Sequence, residues 1–272
     1  MSDISTGLAN LVCIGFTVIY VIGFYVFKTS GSRNHPSVIR ARMKAVTVAS
    51  VLSILIVKSL TPLDLITTLG LTPVFGIFKP LLLSVLLFLG PLSILYFDRE
   101  LPFQENFDLQ RDVVESFTKP LGQRNYFVAP FTEELVFRAC MIAVLYQANY
   151  SKNYLIFVSP LYFGIAHLHH AWENYHALGK PREGLIQVIC GSLFQFTYTT
   201  IFGWYASYLF IKTGNLWPPV LCHSFCKKMG FPDFSRITYN KQVILACFPI
   251  GVILFICLFN PLTDIGVKSV YF

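Results

Sequence analysis

Apolar runs of helix length recur along the whole chain and constrain its fold more than any other feature. A bilayer core is about 30 Å thick, and roughly 20 residues of α-helix cross it. Only helices and closed barrels bond their own backbone groups inside lipid. Because 13% of the residues are charged, against about 25% in soluble domains, we predict an all-α, polytopic integral membrane bundle of about eight transmembrane helices. The runs are residues 9–27, 45–60, 78–97, 126–150, 154–168, 184–211, 216–231 and 243–259.

The polar stretches between these runs contain no linker, so we expect one membrane-embedded domain over residues 1–272. Residues 9–27 are interpreted as a retained span, because no Lys or Arg precedes them. Residues 61–76 contain two prolines and two glycines and predict a short interfacial or re-entrant piece. Residues 108–119, with Asp108 as the cap, predict a helix on the membrane surface, although a plain extramembrane helix fits equally well.

The basic residues are distributed unevenly among the connections. Fifteen Lys and Arg residues lie in connections 28–44, 98–125, 169–183 and 227–241, and five lie in the alternate connections. The positive-inside rule therefore places the first set in the cytosol and both termini on the opposite side. The net charge of +7 is thus explained by topology and not by nucleic-acid binding. The seven cysteines lack CxxC spacing, which excludes a disulfide scaffold or a zinc ribbon.

Three charges lie inside the apolar run of residues 126–150, namely Glu133, Glu134 and Arg138. Each costs on the order of 2.5–3.5 kcal/mol near the middle of a membrane helix. Glu134 and Arg138 are four residues apart and can pair along the helix. Glu133 has no such cation, and a polar partner from another helix is one way to accommodate its carboxylate; this isolated position makes it a candidate general base. The alternative is that all three form a structural polar cluster.

Two histidines come to the same predicted membrane face as Glu133. His167 ends one span and shares a helix face with Phe163, and His223 near the end of another shares a face with Lys227. A Glu and two His residues at matching depth on three spans predict an intramembrane hydrolytic site near the cytosolic face. Alternatively, each histidine forms only a hydrogen bond between helices.

The remaining candidates are weaker. His169 and His170 follow a predicted helix end and are expected at the interface, while His35 and His176 are expected in loops. Cys226 lies beside the predicted site, but no neighbouring residue is clearly its base. We therefore expect Cys226 to act as a small apolar residue rather than as a nucleophile.

Three motifs carry a resemblance to a known family. Residues 133–138, EELVFR, resemble the EExxxR motif of the type II CAAX prenyl proteases, and residues 163–167, FGIAH, resemble their FxxxH motif. Residues 223–227, HSFCK, resemble the third motif, except that Lys227 stands where the family has Asn. These proteases belong to the wider membrane glutamate protease family (CPBP/ABI). The motif-bearing core covers about residues 126–232.

The resemblance implies an enzyme that removes the last three residues from proteins whose fourth-last Cys carries a prenyl group. The implied partners are farnesylated or geranylgeranylated CAAX proteins, such as small GTPases, and the lipid bilayer. The implied location is the endoplasmic reticulum membrane, with the active site facing the cytosol.

The resemblance also implies a role for each motif residue. Glu133 and His167 would activate a water molecule, and His223 and the residue at position 227, here Lys227, would stabilise the oxyanion. The supporting residues are Glu134, Arg138 and Phe163.

Three other functions remain open from the sequence. Glu133, His167 and His223 could hold zinc, but no HExxH pattern is present, so we expect no metal and no cofactor. A non-catalytic membrane binding or scaffold protein would need no such constellation. A transporter could use the same side chains as a proton relay, although no internal repeat is visible.

Overall fold

The computed structural model describes residues 4–27, 29–62, 64–166, 171, 175–176 and 182–272. Every regular element within these residues is helical, which confirms the predicted all-α class. The α-helices are Thr6–Val26, Pro36–Leu60, Leu65–Thr68, Phe78–Leu87, Leu89–Phe97, Glu115–Thr118, Pro120–Gln123, Ala129–Glu134, Met141–Gln147, Ser159–Ala166, Arg182–Thr213, Trp217–Met229, Lys241–Cys257 and Phe259–Thr263. Further turns are the π-helices Gln110–Val114, Arg124–Val128, Leu135–Cys140 and Tyr154–Val158, and the 3-10 helix Phe234–Arg236.

The predicted count of about eight membrane spans is not confirmed. Among the described residues, three helices are long and apolar enough to cross a bilayer: Thr6–Val26, Pro36–Leu60 and Gly184–Thr213. A fourth is added if Phe78–Leu87 and Leu89–Phe97, which meet at a 70° bend, are counted as one span. The other apolar helices within the described residues, Tyr154–Ala166 and Lys241–Cys257, are shorter.

The charged apolar run lies in a composite helix at residues 120–147, which we call the glutamate helix. The helical path begins before Pro130 and passes through the π-helical turn Arg124–Val128 just ahead of that proline. Pro130 cannot donate a backbone hydrogen bond to the carbonyl of Tyr126. Ser224 Oγ donates to that carbonyl at 2.8 Å, so a neighbouring helix satisfies the group that the proline leaves open.

Two other helix boundaries differ from the prediction. The second helix begins at Pro36, where a run starting at residue 45 was predicted, and His35 caps it by accepting from the backbone N–H of Ser37. Proline suits the first helical turn because its missing donor is not needed there. The predicted span at residues 78–97 breaks at Phe88, just before Pro91, into two helices that meet at a 70° bend.

The predicted helix at residues 108–119 is present. The Asp108 carboxylate accepts from the backbone N–H groups of Gln110 and Arg111 at 2.9 and 3.1 Å. The helix that follows ends at Thr118. The expected cap is therefore confirmed, and the segment precedes the glutamate helix directly.

Connections with many basic residues contact one another at one end of the bundle. Arg124 donates through Nη1 to the backbone carbonyl of Arg33 at 3.3 Å, and through Nη2 to the side-chain oxygen of Asn34 at 3.2 Å. Lys228 Nζ donates to the backbone carbonyl of Asp112 at 2.8 Å. Three of the four connections predicted to share a face therefore meet.

The connections with few basic residues form a second group with the C-terminal residues. Lys79 Nζ donates to the backbone carbonyl of Asp264 at 3.4 Å. The ammonium groups of Lys152 and Lys212 lie 4.4 and 4.1 Å from the ring centroid of Phe272. The division of the connections into two groups agrees with the predicted one.

Candidate active site

The two glutamates of the predicted site meet one histidine from another helix. The helix Trp217–Met229, here the histidine helix, carries His223 against the glutamate helix. Nδ1 of His223 lies 2.6 Å from Glu134 Oε1, and Nε2 lies 3.6 Å from Glu133 Oε2. The ring of Phe202 packs against the imidazole at a centroid distance of 4.9 Å. The imidazole is thus held between two carboxylates.

Glu134 belongs to a buried ion pair. Arg138 Nε lies 3.1 Å from Glu134 Oε2, and both side chains are 0% exposed. The guanidinium also lies over the Phe163 ring, 4.8 Å from its centroid. Its Nη1 and Nη2 atoms make no hydrogen bond within the described part of the chain. Its charge is therefore balanced by Glu134 and the aromatic face, and the pairing predicted from the four-residue spacing is confirmed.

Gly203, on the helix Arg182–Thr213 (here the long helix), makes room for this pair. A Cβ atom at Gly203 would lie 2.6 Å from Pro160 Cβ and 3.2 Å from Arg138 Nη2. Such approaches are closer than normal carbon contacts. Gly203 therefore allows the long helix to pack directly against the buried guanidinium.

Glu133 differs from Glu134 in its access to solvent. Its side chain is 16% exposed, and it lines a cavity together with Phe163, Ala166 and Lys227. Glu134 is not among the lining residues. The polar partner of Glu133 from another helix is His223. Of the two neighbouring carboxylates, only Glu133 can meet a water molecule or a substrate in this cavity.

The two lysines that end the histidine helix have different surroundings. Lys227 lines the cavity, whereas Lys228 donates to the carbonyl of Asp112 and lies over the Tyr126 ring at 5.2 Å. Cys226 is not among the residues that line the cavity.

The second predicted histidine, His167, lies outside the described residues, as do His169 and His170. The helix that leads to His167 places Phe163 and Ala166 on the cavity wall. The alternative zinc set includes His167, so its geometry is not described either. Among the described residues, no three His, Cys, Asp or Glu side chains are grouped as metal ligands. His176 is exposed, but it lies in a helical turn and not in the predicted loop.

The sequence interpretation missed three cavity residues. Arg33, Arg42 and Arg124 line the same cavity as Glu133, although their charge was interpreted only as a topology signal. Arg33 and Arg42 come from the connection of residues 28–44, and Arg124 lies about 90 residues from Arg33 along the chain. No local spacing links them, so only the packing of the helices could reveal them.

The comparisons with known proteins agree with the motifs. The profile of the Rce1-like type II CAAX prenyl endopeptidase family matches residues 118–229. CAAX prenyl protease 2 of Homo sapiens is 39% identical over 268 residues, covering 93% of this chain and 80% of the human protein. The probable CAAX prenyl protease 2 of Schizosaccharomyces pombe is 33% identical, covering 90% of both chains.

A plant relative extends the same similarity. CAAX prenyl protease 2 of Arabidopsis thaliana is 33% identical over 290 residues, covering 96% of this chain and 91% of the plant protein. No solved structure matches the chain.

Proposed function

Because the chain belongs to the type II CAAX prenyl endopeptidase family, we propose that Glu133 activates the water that cleaves its substrate. The protein is a CAAX prenyl endopeptidase, and its substrates are prenylated CAAX proteins. One observation carries the proposed role. Glu133 lines the cavity, whereas its neighbour Glu134 is 0% exposed and paired with Arg138.

In the proposed reaction, Glu133 takes a proton from water as the water oxygen attacks the scissile carbonyl. The same carboxyl then gives that proton to the leaving amine. His167, the last residue of the FxxxH motif and the residue after the cavity-lining Ala166, orients the water. The released product is the tripeptide that followed the prenylated cysteine.

The proposed oxyanion donors are His223 and Lys227. The Nδ1 atom of His223 faces a carboxylate and therefore donates to Glu134. His223 can stabilise an oxyanion only if Nε2 also carries a proton. Lys227 brings a second donor from one helical turn away, in the place of the family's Asn. Its position on the cavity wall supports this role.

We propose that residues 1–272 form one domain with about eight membrane crossings in the endoplasmic reticulum. The end that carries the basic connections faces the cytosol, as the positive-inside rule predicts. The substrates are farnesylated and geranylgeranylated proteins such as small GTPases, which reach the cavity from the bilayer and the cytosol. The two groups of connections described above support this arrangement.

The decisive assay measures tripeptide release from a short farnesylated CAAX peptide in detergent. Glu133→Gln should abolish release, because an amide cannot accept the proton from water. Glu105→Gln is the matched control, since Glu105 pairs with Arg99 at the exposed surface. Normal release by a folded Glu133→Gln protein would overturn the assignment.

We further propose that the reaction needs no metal ion. Prolonged incubation with a strong chelator should leave the release rate unchanged. Loss of activity that added zinc restores would overturn this proposal and favour a zinc-dependent mechanism.

A further inference from the structure

Three arginines from two segments of the chain line the cavity that contains Glu133. Arg33 precedes the second helix, Arg42 lies within it, and Arg124 lies near the start of the glutamate helix. The guanidinium carbon of Arg42 lies 5.3 Å from the centroid of the Phe24 ring. Phe24 also lines the cavity, so this contact orients Arg42 at the cavity wall.

Arg124 has only neutral hydrogen-bond acceptors among the described residues. Its Nε donates to the side-chain oxygen of Asn125 at 2.9 Å, and its Nη atoms donate to the Arg33 carbonyl and the Asn34 side chain. Partial burial and the nearby charges of Arg33 and Arg42 lower the pKa of Arg124. The charge of Arg124 therefore has no acid beside it within the described residues, and a bound anion would balance that charge.

The reaction itself brings an anion into this cavity. Cleavage after the prenylated cysteine leaves three residues between the scissile bond and the free C-terminal carboxylate. Three extended residues span about 10 Å, so the carboxylate must lie near the cavity when the scissile bond is at Glu133. Guanidinium groups bind carboxylates through paired, charge-assisted hydrogen bonds.

We propose that Arg124, Arg42 and Arg33 bind the C-terminal carboxylate of the substrate. This inference rests on the proposed role of Glu133 in the same cavity. With the arginines at the carboxylate and Glu133 at the scissile bond, the cavity would fix the distance between the chain end and the bond that is cleaved. The arginines thereby select the free C-terminus and set the length of the released peptide at three residues.

The test compares a farnesylated CAAX peptide that ends in a free acid with the same peptide ending in an amide. The parent enzyme should cleave the acid with a kcat/KM about ten-fold or more above that of the amide, the scale of a charge-assisted hydrogen bond. Arg124→Gln and Arg42→Gln should lower kcat/KM for the acid and leave the amide nearly unchanged. The control is Arg40→Gln, because Arg40 is exposed on the same helix as Arg42 and does not line the cavity.

Each alternative outcome is distinct. Equal cleavage of acid and amide by the parent would overturn the proposal, even if an arginine variant failed to fold. Equal losses on both peptides in the variants would assign the arginines a structural role and overturn it. A loss seen only in vesicles with anionic lipid, and absent in neutral detergent, would assign them to lipid phosphate and overturn it. If Glu133→Gln remained active while the acid preference persisted, only the proposed base would fail.

Discussion

Replacing Glu134 by Gln removes one charge from the buried ion pair with Arg138 and keeps the shape of the side chain. The Arg138 guanidinium would then have no acid within the described residues, since its ion pair there is with Glu134. At the observed separation of 3.1 Å, the Coulomb attraction is about 5 kcal/mol for an effective dielectric constant of about 20. Breaking a buried pair typically costs about 3–5 kcal/mol. We therefore expect Glu134→Gln to be strongly destabilising.

The matched comparison is Glu133→Gln. The Glu133 side chain is partly exposed, and its nearest basic atom is Nε2 of His223 at 3.6 Å. We expect it to change stability by less than about 1 kcal/mol while abolishing turnover. Glu134→Gln should also lower turnover, because the amide weakens the hydrogen bond that orients His223.

Thermal unfolding in detergent and kcat on a farnesylated peptide separate the two effects. A loss of about 3–5 kcal/mol corresponds to a fall in Tm of at least roughly 6 °C for a chain of this size. Glu134→Gln should show that fall, and Glu133→Gln should unfold close to the parent temperature. If Glu134→Gln unfolded within about 2 °C of the parent, less than 1 kcal/mol on this scale, the ion pair would not stabilise the bundle as argued.

Three further outcomes are expected. Lys227→Leu should lower kcat by about 10²–10³, as for the loss of an oxyanion donor. Lys227→Asn and the control Lys228→Leu should keep most of the parent kcat. A kcat for Lys227→Leu within about two-fold of the parent would contradict the role of Lys227 as a donor. Gly203→Ala should reduce the free energy of unfolding by about 1–3 kcal/mol through overpacking, whereas Gly191→Ala on the same helix, with nothing within 4 Å, should not; equal unfolding midpoints would refute the packing argument. A glycosylation acceptor inserted near Gln104 should stay unmodified in the secretory pathway, and efficient modification would reverse the proposed orientation.

Features that depend on local geometry could be predicted from the amino-acid sequence. Helical rise and period place Glu134 and Arg138 on one face, so their pairing could be predicted from a four-residue spacing. The Asp108 cap could be predicted in the same way, because it involves backbone groups two and three residues away. The grouping of basic connections followed from their alternation along the chain.

Which glutamate is buried and which lines the cavity depends on contacts between distant segments of the chain. Glu133 and Glu134 are neighbours in sequence, but Glu134 is buried with Arg138 whereas Glu133 lines the cavity. His223, 89 residues from Glu134, contacts both carboxylates. The helix count and the early start of the glutamate helix also depended on packing, since Ser224 compensates for Pro130 from another helix. The arginine cluster has the same origin. Contacts between distant segments are set by how helices pack, and no periodicity within one segment encodes that packing.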